Sequence, residues 1–274
     1  MKKKHIVLVL LFIVSNILNA QYYKKIVSLA PSVTQSIYSM GGQDLIVGCT
    51  NYCKLAKKDK KQIVSSAIKP NIEKIVRLSP DLVIASGLTN PKDIATLERL
   101  GIKVVVYQTP KSFNEICSQF VELGELIGKK DKAVEIVESS SKKIKEIINK
   151  SKWKSPPSIF FQIGSSPIFS VVDNTFMSDY ISFLGGTNIA SGLDGGVVSR
   201  EFVLSKNPNI IIITTMGVVG EKERQIWSKY RQLDATKTNS IYIVESEIAC
   251  QPTPLTFVQT VEELYLLLSK QLMQ

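Results

Sequence analysis

Glu73 and Glu201 occupy the same frame in two distant stretches of the chain. In Pro70 to Ile84, and again in Val198 to Ile212, a glutamate opens a short segment of apolar periodicity. Seven residues later comes a proline (Pro80, Pro208), then Asp81 or Asn209, then an aliphatic run. An echo this widely separated is not a solenoid repeat. It implies two similar lobes, each displaying one carboxylate at an equivalent place. A carboxylate in a first helical turn also complements the partial positive charge of the helix N-terminus.

Catalytic pairings are scarce. The single histidine, His5, lies in a segment expected to be removed. Without imidazole there is no His-based general acid–base chemistry and no Ser-His-Asp or Cys-His arrangement. The usual His-containing zinc and manganese sites are excluded too. Ser140–Lys143 and Ser66–Lys69 match the spacing of a Ser–Lys nucleophile pair. The first falls inside a charged helix and the second in a loop before Pro70, and neither has a companion motif. We therefore expect no enzyme, no catalytic residue, no resident cofactor and no metal site. Cys49, Cys53, Cys117 and Cys250 remain. An oxidising compartment leaves three complete disulfide pairings open, among them a small Cys49–Cys53 loop.

The elements that position these residues follow from pattern. Residues 1–20 read as a secretory signal peptide: Lys2, Lys3 and Lys4, an apolar run from Ile6 to Val14, and a cleavage region ending at Ala20. No Cys follows the apolar run, so a lipid anchor is not expected, and the protein is placed in the periplasm. Cleavage leaves about 254 residues, enough for one large or two modest domains. It removes three lysines, lowering the formal charge from +10 to about +7. The run Lys54, Lys57, Lys58, Lys60 and Lys61 reads as a solvated loop and not as a nucleic-acid surface. No nucleic-acid partner is expected, and the protein is expected to be a monomer.

Strands alternate with helices. Ile26–Leu29, Leu45–Val47, Leu82–Ala85 and Ile102–Tyr107 read as strands, and the continuous aliphatic runs imply burial on both faces. Between them, Ser32 is placed to cap a helix to Met40, Asn90-Pro91 begins a helix to Leu100, and Ser112-x-x-Glu115 is a capping box opening a helix to about Ile127. A segment without Gly or Pro from Lys129 to about Lys152 has helical apolar spacing; its 24 or so residues would span roughly 36 Å. The second half repeats the outline: strands at Ile159–Ile163, Ile210–Ile213 and Ile241–Val244, and helices at Asp173–Leu184 and Thr256–Leu272. The expected fold class is α/β: two Rossmann-like lobes with mostly parallel sheets, joined by one long backbone helix, with a ligand cleft between them. The expected division is an N-terminal lobe at 21–128, the connecting helix at 129–154 and a C-terminal lobe at 155–274. Cleft-facing loops would follow the strands and carry hydroxyls, amides and rings, with almost no carboxylates or bases.

Several segments together resemble one family: Ile26-Val27-Ser28-Leu29-Ala30-Pro31-Ser32-Val33-Thr34, Val47-Gly48-Cys49-Thr50-Asn51-Tyr52, Asn71-Ile72-Glu73 through Pro80-Asp81-Leu82-Val83, and Ser199-Arg200-Glu201. These are similar to periplasmic binding proteins that feed cobalamin, iron-siderophores or haem to ABC importers, with the cobalamin branch nearest. The resemblance spans essentially the whole mature chain. It implies a non-enzymatic solute-binding component that captures cobalamin or a related corrinoid, with an iron-siderophore or haem as the alternative. An exported enzyme or a sensor module is the remaining class. It implies that Glu73 and Glu201 dock onto basic residues of a membrane permease. It implies ligand contacts from Ser32, Tyr52, Ser86, Gly87, Phe169, Gly195, Thr215 and Pro252. Where the cobalamin branch can carry tryptophans, this chain has residues such as Ala67, Ser86 and Gly195, which would widen the pocket; Trp153 and Trp227 lie elsewhere, the latter on an expected surface helix. Cys250 falls in a loop expected to face the cleft, either touching a ligand metal or packed or disulfide-bonded.

Overall fold

The computed structural model describes residues 23–66, 69–214 and 220–272. The expected signal peptide, Ala67 and Thr215 lie outside the described residues.

The first sheet is built from β1 (Ile26–Ser28), β2 (Ile46–Thr50), β3 (Gln62–Ser65), β4 (Leu82–Ser86) and β5 (Val104–Tyr107). All pairings are parallel, in the order β3-β2-β1-β4-β5. This is the doubly wound order 3-2-1-4-5-6 without its last strand. The aliphatic run of β4 shows why such a strand needs apolar residues at every position. Leu82 and Ile84 enter one core, with Ile26, Ile37, Phe120 and Leu123; Val83 and Ala85 enter another across the sheet, with Val27, Ile75 and Leu97. Helices α1 (Pro31–Ser39), α2 (Lys54–Lys58), α3 (Ile72–Arg77), α4 (Pro91–Arg99) and α5 (Phe113–Leu126) complete this lobe, and α6 (Lys130–Lys150) leaves it.

The second sheet holds β6 (Ser158–Ser165), β7 (Ile168–Ser170), β8 (Thr187–Asn188), β9 (Ile210–Thr214) and β10 (Ile241–Val244). Its order is β10-β9-β6-β7, with β8 also pairing β6, and β7 is antiparallel. The same parity rule applies. Ile159, Phe161, Ile210 and Ile212 face one core, and Phe160, Ile211 and Ile213 face the other. The helices here are α7 (Phe176–Phe183), α8 (Arg200–Lys206), α9 (Gly220–Trp227), α10 (Asp234–Lys237), α11 (Ser246–Ala249) and α12 (Pro254–Leu272). No helix among the described residues is long and apolar enough to cross a membrane.

Helix α6 is 21 residues long, or about 32 Å at 1.5 Å per residue. Its buried stripe changes core along its length. Ala133 and Ile136 pack in the first lobe, Ile144 and Ile147 in the second, and Val137 touches both. The bridging role expected of one helix is shared. Phe113, Ile116 and Cys117 of α5 pack in the second lobe's core, while Phe120 and Leu123 pack in the first. The backbone N–H of Phe113 donates to Asp179 Oδ2 of α7 at 2.7 Å, and α12 packs back on α5 and α6.

Three local expectations change. The first helix begins at Pro31 with Ala30 at the cap position, so Ser32 lies in its first turn and is not the cap; proline's fixed φ suits the first helical residue. Lys54, Lys57 and Lys58 lie on α2 and not in a loop, because Ala56 is buried beneath them. Trp227 is not on a surface face. It is 0% exposed, and its Nε1–H donates to Gln162 Oε1 at 2.7 Å.

Candidate functional site

The repeated frame is a repeated structure. Asn71 Oδ1 accepts from Lys74 N (2.9 Å) to cap α3, and Ser199 Oγ accepts from Phe202 N (3.1 Å) to cap α8. After each helix a left-handed residue stands just before the proline, Ser79 at φ 46° and Asn207 at φ 43°. The next residue then ties down the lobe's opening strand. Asp81 accepts from the backbone N–H groups of Lys24 (2.8 Å) and Lys25 (3.0 Å), and Asn209 Oδ1 accepts from Ser158 N and Oγ (both 2.9 Å). Glu73 and Glu201 therefore stand in equivalent first turns, both exposed. Glu73 pairs with Arg77 one turn on. The Glu201 carboxyl is held below the usual glutamate range by its own backbone N–H and by Ser199.

Between the lobes lies a cavity of about 250 Å³. Pro31, Thr34 and Gln35 of α1 and Tyr52, Cys53, Lys54 and Leu55 after β2 line one side; Glu247, Ile248 and Gln251, after β10, line the other. It opens at the carboxyl ends of parallel strands, where an α/β fold leaves room for a ligand. The turn after β2 sets its first wall. Thr50 Oγ1 accepts from Tyr52 N (3.2 Å), and Cys53 N donates to Thr50 O (3.2 Å). That turn sends the Tyr52 ring outward, 57% exposed, and Cys53 inward, 3% exposed. A reciprocal pair of threonines sets the second wall: Thr253 Oγ1 accepts from Thr256 N (3.1 Å), and Thr256 Oγ1 accepts from Thr253 N (3.0 Å) and donates to Gln251 O (2.6 Å). Lys54 and Glu247 form an ion pair from one lobe to the other.

Of the residues implied for ligand contact, Tyr52 lines this cavity. Ser32 is half-buried in the first turn of α1, and Pro252 is half-buried beside Gln251. Ser86 and Gly87 close the carboxyl end of β4, where Thr89 N donates to Ser86 O and Gly87 N to Tyr107 O, both at 2.9 Å. Phe169, 39% exposed, lies on β7 against Val197, itself exposed. Gly196 packs under the Phe169 ring, where a Cβ would collide with it, whereas Gly195 is exposed with open space around its Cα. Cys250 is half-buried, its Sγ 3.5 Å from Thr214 Oγ1, and burial pushes its thiol up. All four cysteines are free thiols.

Gln35, Lys54, Leu55 and Glu247 were not anticipated at the cleft. Lys54 and Leu55 lie on α2, which the lysine run concealed. Glu247 lies on α11, a single turn too short to show periodicity. The described residues contain no group of three or more His, Cys, Asp or Glu side chains placed to hold a metal.

Comparison with known proteins gives consistent matches. A family model described as "Periplasmic binding protein" matches residues 26–248. An uncharacterised ABC transporter substrate-binding lipoprotein, YvrC of Bacillus subtilis (strain 168), is 32% identical over 251 residues, covering 88% of this chain and 78% of YvrC. A vitamin B12-binding protein of Yersinia pestis (strain Pestoides F) is 29% identical over 201 residues, 72% of this chain and 71% of that one. Among solved structures, the periplasmic vitamin B12 binding protein BtuF of Vibrio cholerae superposes with a TM-score of 0.76 at 24% identity, covering 90% of this chain and 97% of BtuF. The periplasmic heme binding protein HutB of Vibrio cholerae superposes with a TM-score of 0.80 at 16% identity, covering 89% and 98%.

Proposed function

Because this chain belongs to the periplasmic binding protein family, we propose that it captures a corrinoid such as cobalamin in the interlobe cleft and delivers it, outside the cytoplasm, to a membrane permease. Its general role is that of the substrate-binding component of an ABC importer. The family binds and carries, and its members are not enzymes. The cargo class rests on one observation. The ten cavity-lining residues include one cation and one anion, Lys54 and Glu247, and these neutralise each other across the cleft. Haem propionates and anionic siderophores call for unpaired Arg or Lys donors, as charge-assisted recognition of carboxylates does elsewhere. A cleft walled by Pro31, Tyr52, Leu55 and Ile248 with amide groups from Gln35 and Gln251 suits a large, neutral ligand with an apolar face and an amide fringe. The vitamin B12-binding relative supports the same reading.

At about 250 Å³ the cavity is smaller than the roughly 300–1,000 Å³ of ordinary ligand pockets. A corrinoid therefore enters with the lobes further apart and the Lys54–Glu247 pair broken. That pair is exposed, so opening it costs little, on the order of 0–1 kcal/mol. Mixing the mature chain with cyanocobalamin, cobinamide, haem and a ferric siderophore, each followed by gel filtration, tests the cargo class. The visible bands of the corrinoids co-elute with the protein. Co-elution of haem or the ferric siderophore, without either corrinoid, would overturn the reading.

A further inference from the structure

Two of the four thiols lie in one core of the first lobe. Cys49 is the penultimate residue of β2 and fully buried; Cys53 follows the Thr50–Cys53 turn and lines the cavity. The turn folds the chain back so that both cysteines lie in the same core, beside Ile37, Ala56 and Ile84. The Thr34 and Thr50 hydroxyls also converge on Cys53 Sγ, at 3.1 and 3.3 Å. We propose that Cys49 and Cys53 are a redox-active dithiol in the wall of the cleft, oxidised to an intrachain disulfide by small solutes that themselves carry a disulfide.

The two sulfurs differ as such chemistry requires. The neighbouring Cys49 thiol, with the Thr34 and Thr50 hydroxyls, lowers the Cys53 thiol against the opposing effect of burial. The Cys49 thiol is raised by the neighbouring Cys53 and by burial. The more acidic of the two thiols thus lines the cavity, and the less acidic one stands behind it. Neither remaining cysteine has this arrangement. Burial pushes Cys117 up to about 12 and also raises Cys250, whose side-chain partner is a threonine hydroxyl.

The exchange balances in two steps. The Cys53 thiolate attacks one sulfur of the small disulfide, breaking its S–S bond, forming a mixed disulfide and releasing one thiolate. Cys49 gives its proton to that thiolate, and its sulfur then attacks Cys53 Sγ. The second small thiolate leaves and takes a proton from water. Two electrons pass from the protein to the small disulfide, which ends as two thiols. This inference does not depend on which cargo the cleft carries.

Peptide mapping of the folded chain tests it. Cys49 and Cys53 share the tryptic peptide 26–54, while Cys117 and Cys250 fall in other peptides. The mature protein is incubated with glutathione disulfide, quenched in acid, alkylated and digested. Peptide 26–54 is expected to lose both alkylation sites, become two hydrogens lighter, and revert with dithiothreitol. It should react at least about tenfold faster than Cys117. In Cys49→Ser the reaction stops at a glutathione adduct on Cys53. Full alkylation of both residues in the treated wild-type chain, or an adduct that builds on Cys49 and not on Cys53, would overturn the proposal. The wild-type result decides the matter even if Cys49→Ser does not fold.

Discussion

Replacing Glu73 and Glu201 together with alanine abolishes cargo uptake by the intact importer and leaves the affinity for cyanocobalamin at its wild-type value. The expectation follows from what surrounds the two carboxylates. Each projects from the first turn of a capped helix, so the backbone beneath it is fixed by Asn71 or Ser199. Each lies outside the set of cavity-lining residues. Equivalent display on two similar lobes suits a partner with cationic sites related by an approximate two-fold axis. Complementary charges at such sites set register and encounter rate more than raw affinity. The Arg77 partner of Glu73 is exposed, so giving it up for a cation of a docking partner would cost little. Glu201, held below the usual glutamate range, stays ionised in mildly acidic surroundings. Because both side chains are exposed, the alanine changes should leave stability nearly unchanged. Uptake in cells and calorimetric affinity of the purified variant are the two measurements. Undiminished uptake would remove the docking role, and lost affinity would place the residues at the cargo site.

At Glu223, which pairs with the residue just before Glu201, the opposite outcome is expected. Glu223→Ala should destabilise the fold by about 3–5 kcal/mol, as breaking a buried ion pair does. Glu223 is 6% exposed and accepts from Arg200 Nη2 at 2.9 and 3.2 Å and from Gln162 Nε2 at 3.0 Å. Gln162 in turn accepts from Trp227 Nε1, and the Arg200 guanidinium lies 4.6 Å from the centre of the Trp227 ring. Removing the carboxylate leaves a guanidinium without its anion and an amide without its acceptor, beside a tryptophan sealed from water. A loss of that size lowers the melting temperature on the order of 10 °C for a domain of this length. Thermal unfolding measures it. The double change Arg200→Met with Glu223→Leu should recover most of the loss, since an apolar replacement of both partners leaves no orphaned charge. A single-variant loss below about 1 kcal/mol, the range of exposed ion pairs, would contradict the account.

What could be read from the sequence divides by the range of the interactions involved. The repeated glutamate-to-proline frame was visible because its parts act locally. A cap, a helical turn, a left-handed residue and a proline occupy one short stretch in each lobe. The buried strands were visible because a strand covered on both faces needs apolar residues of both parities, as Leu82 to Ala85 shows. The bridging helix carried an uninterrupted helical pattern, but that pattern does not show that α5 also crosses between cores. The cleft was harder. Tyr52 could be named from its motif, yet Lys54 and Glu247 meet only because two lobes are brought together, and neither local sequence records the other. Trp227 looked exposed among Glu, Lys and Arg neighbours. Its burial is decided by Phe160, Gln162 and Arg200, which come from other parts of the chain.

The central claim is that the interlobe cleft holds a corrinoid, and calorimetric titration of cyanocobalamin into the wild-type chain and a Tyr52→Ala, Leu55→Ala variant tests it most directly. The account predicts saturable one-to-one binding to the wild type. It predicts affinity at least about tenfold weaker, or roughly 1.4 kcal/mol, in the variant. No binding by the wild type, or equal affinity in both proteins, would contradict it.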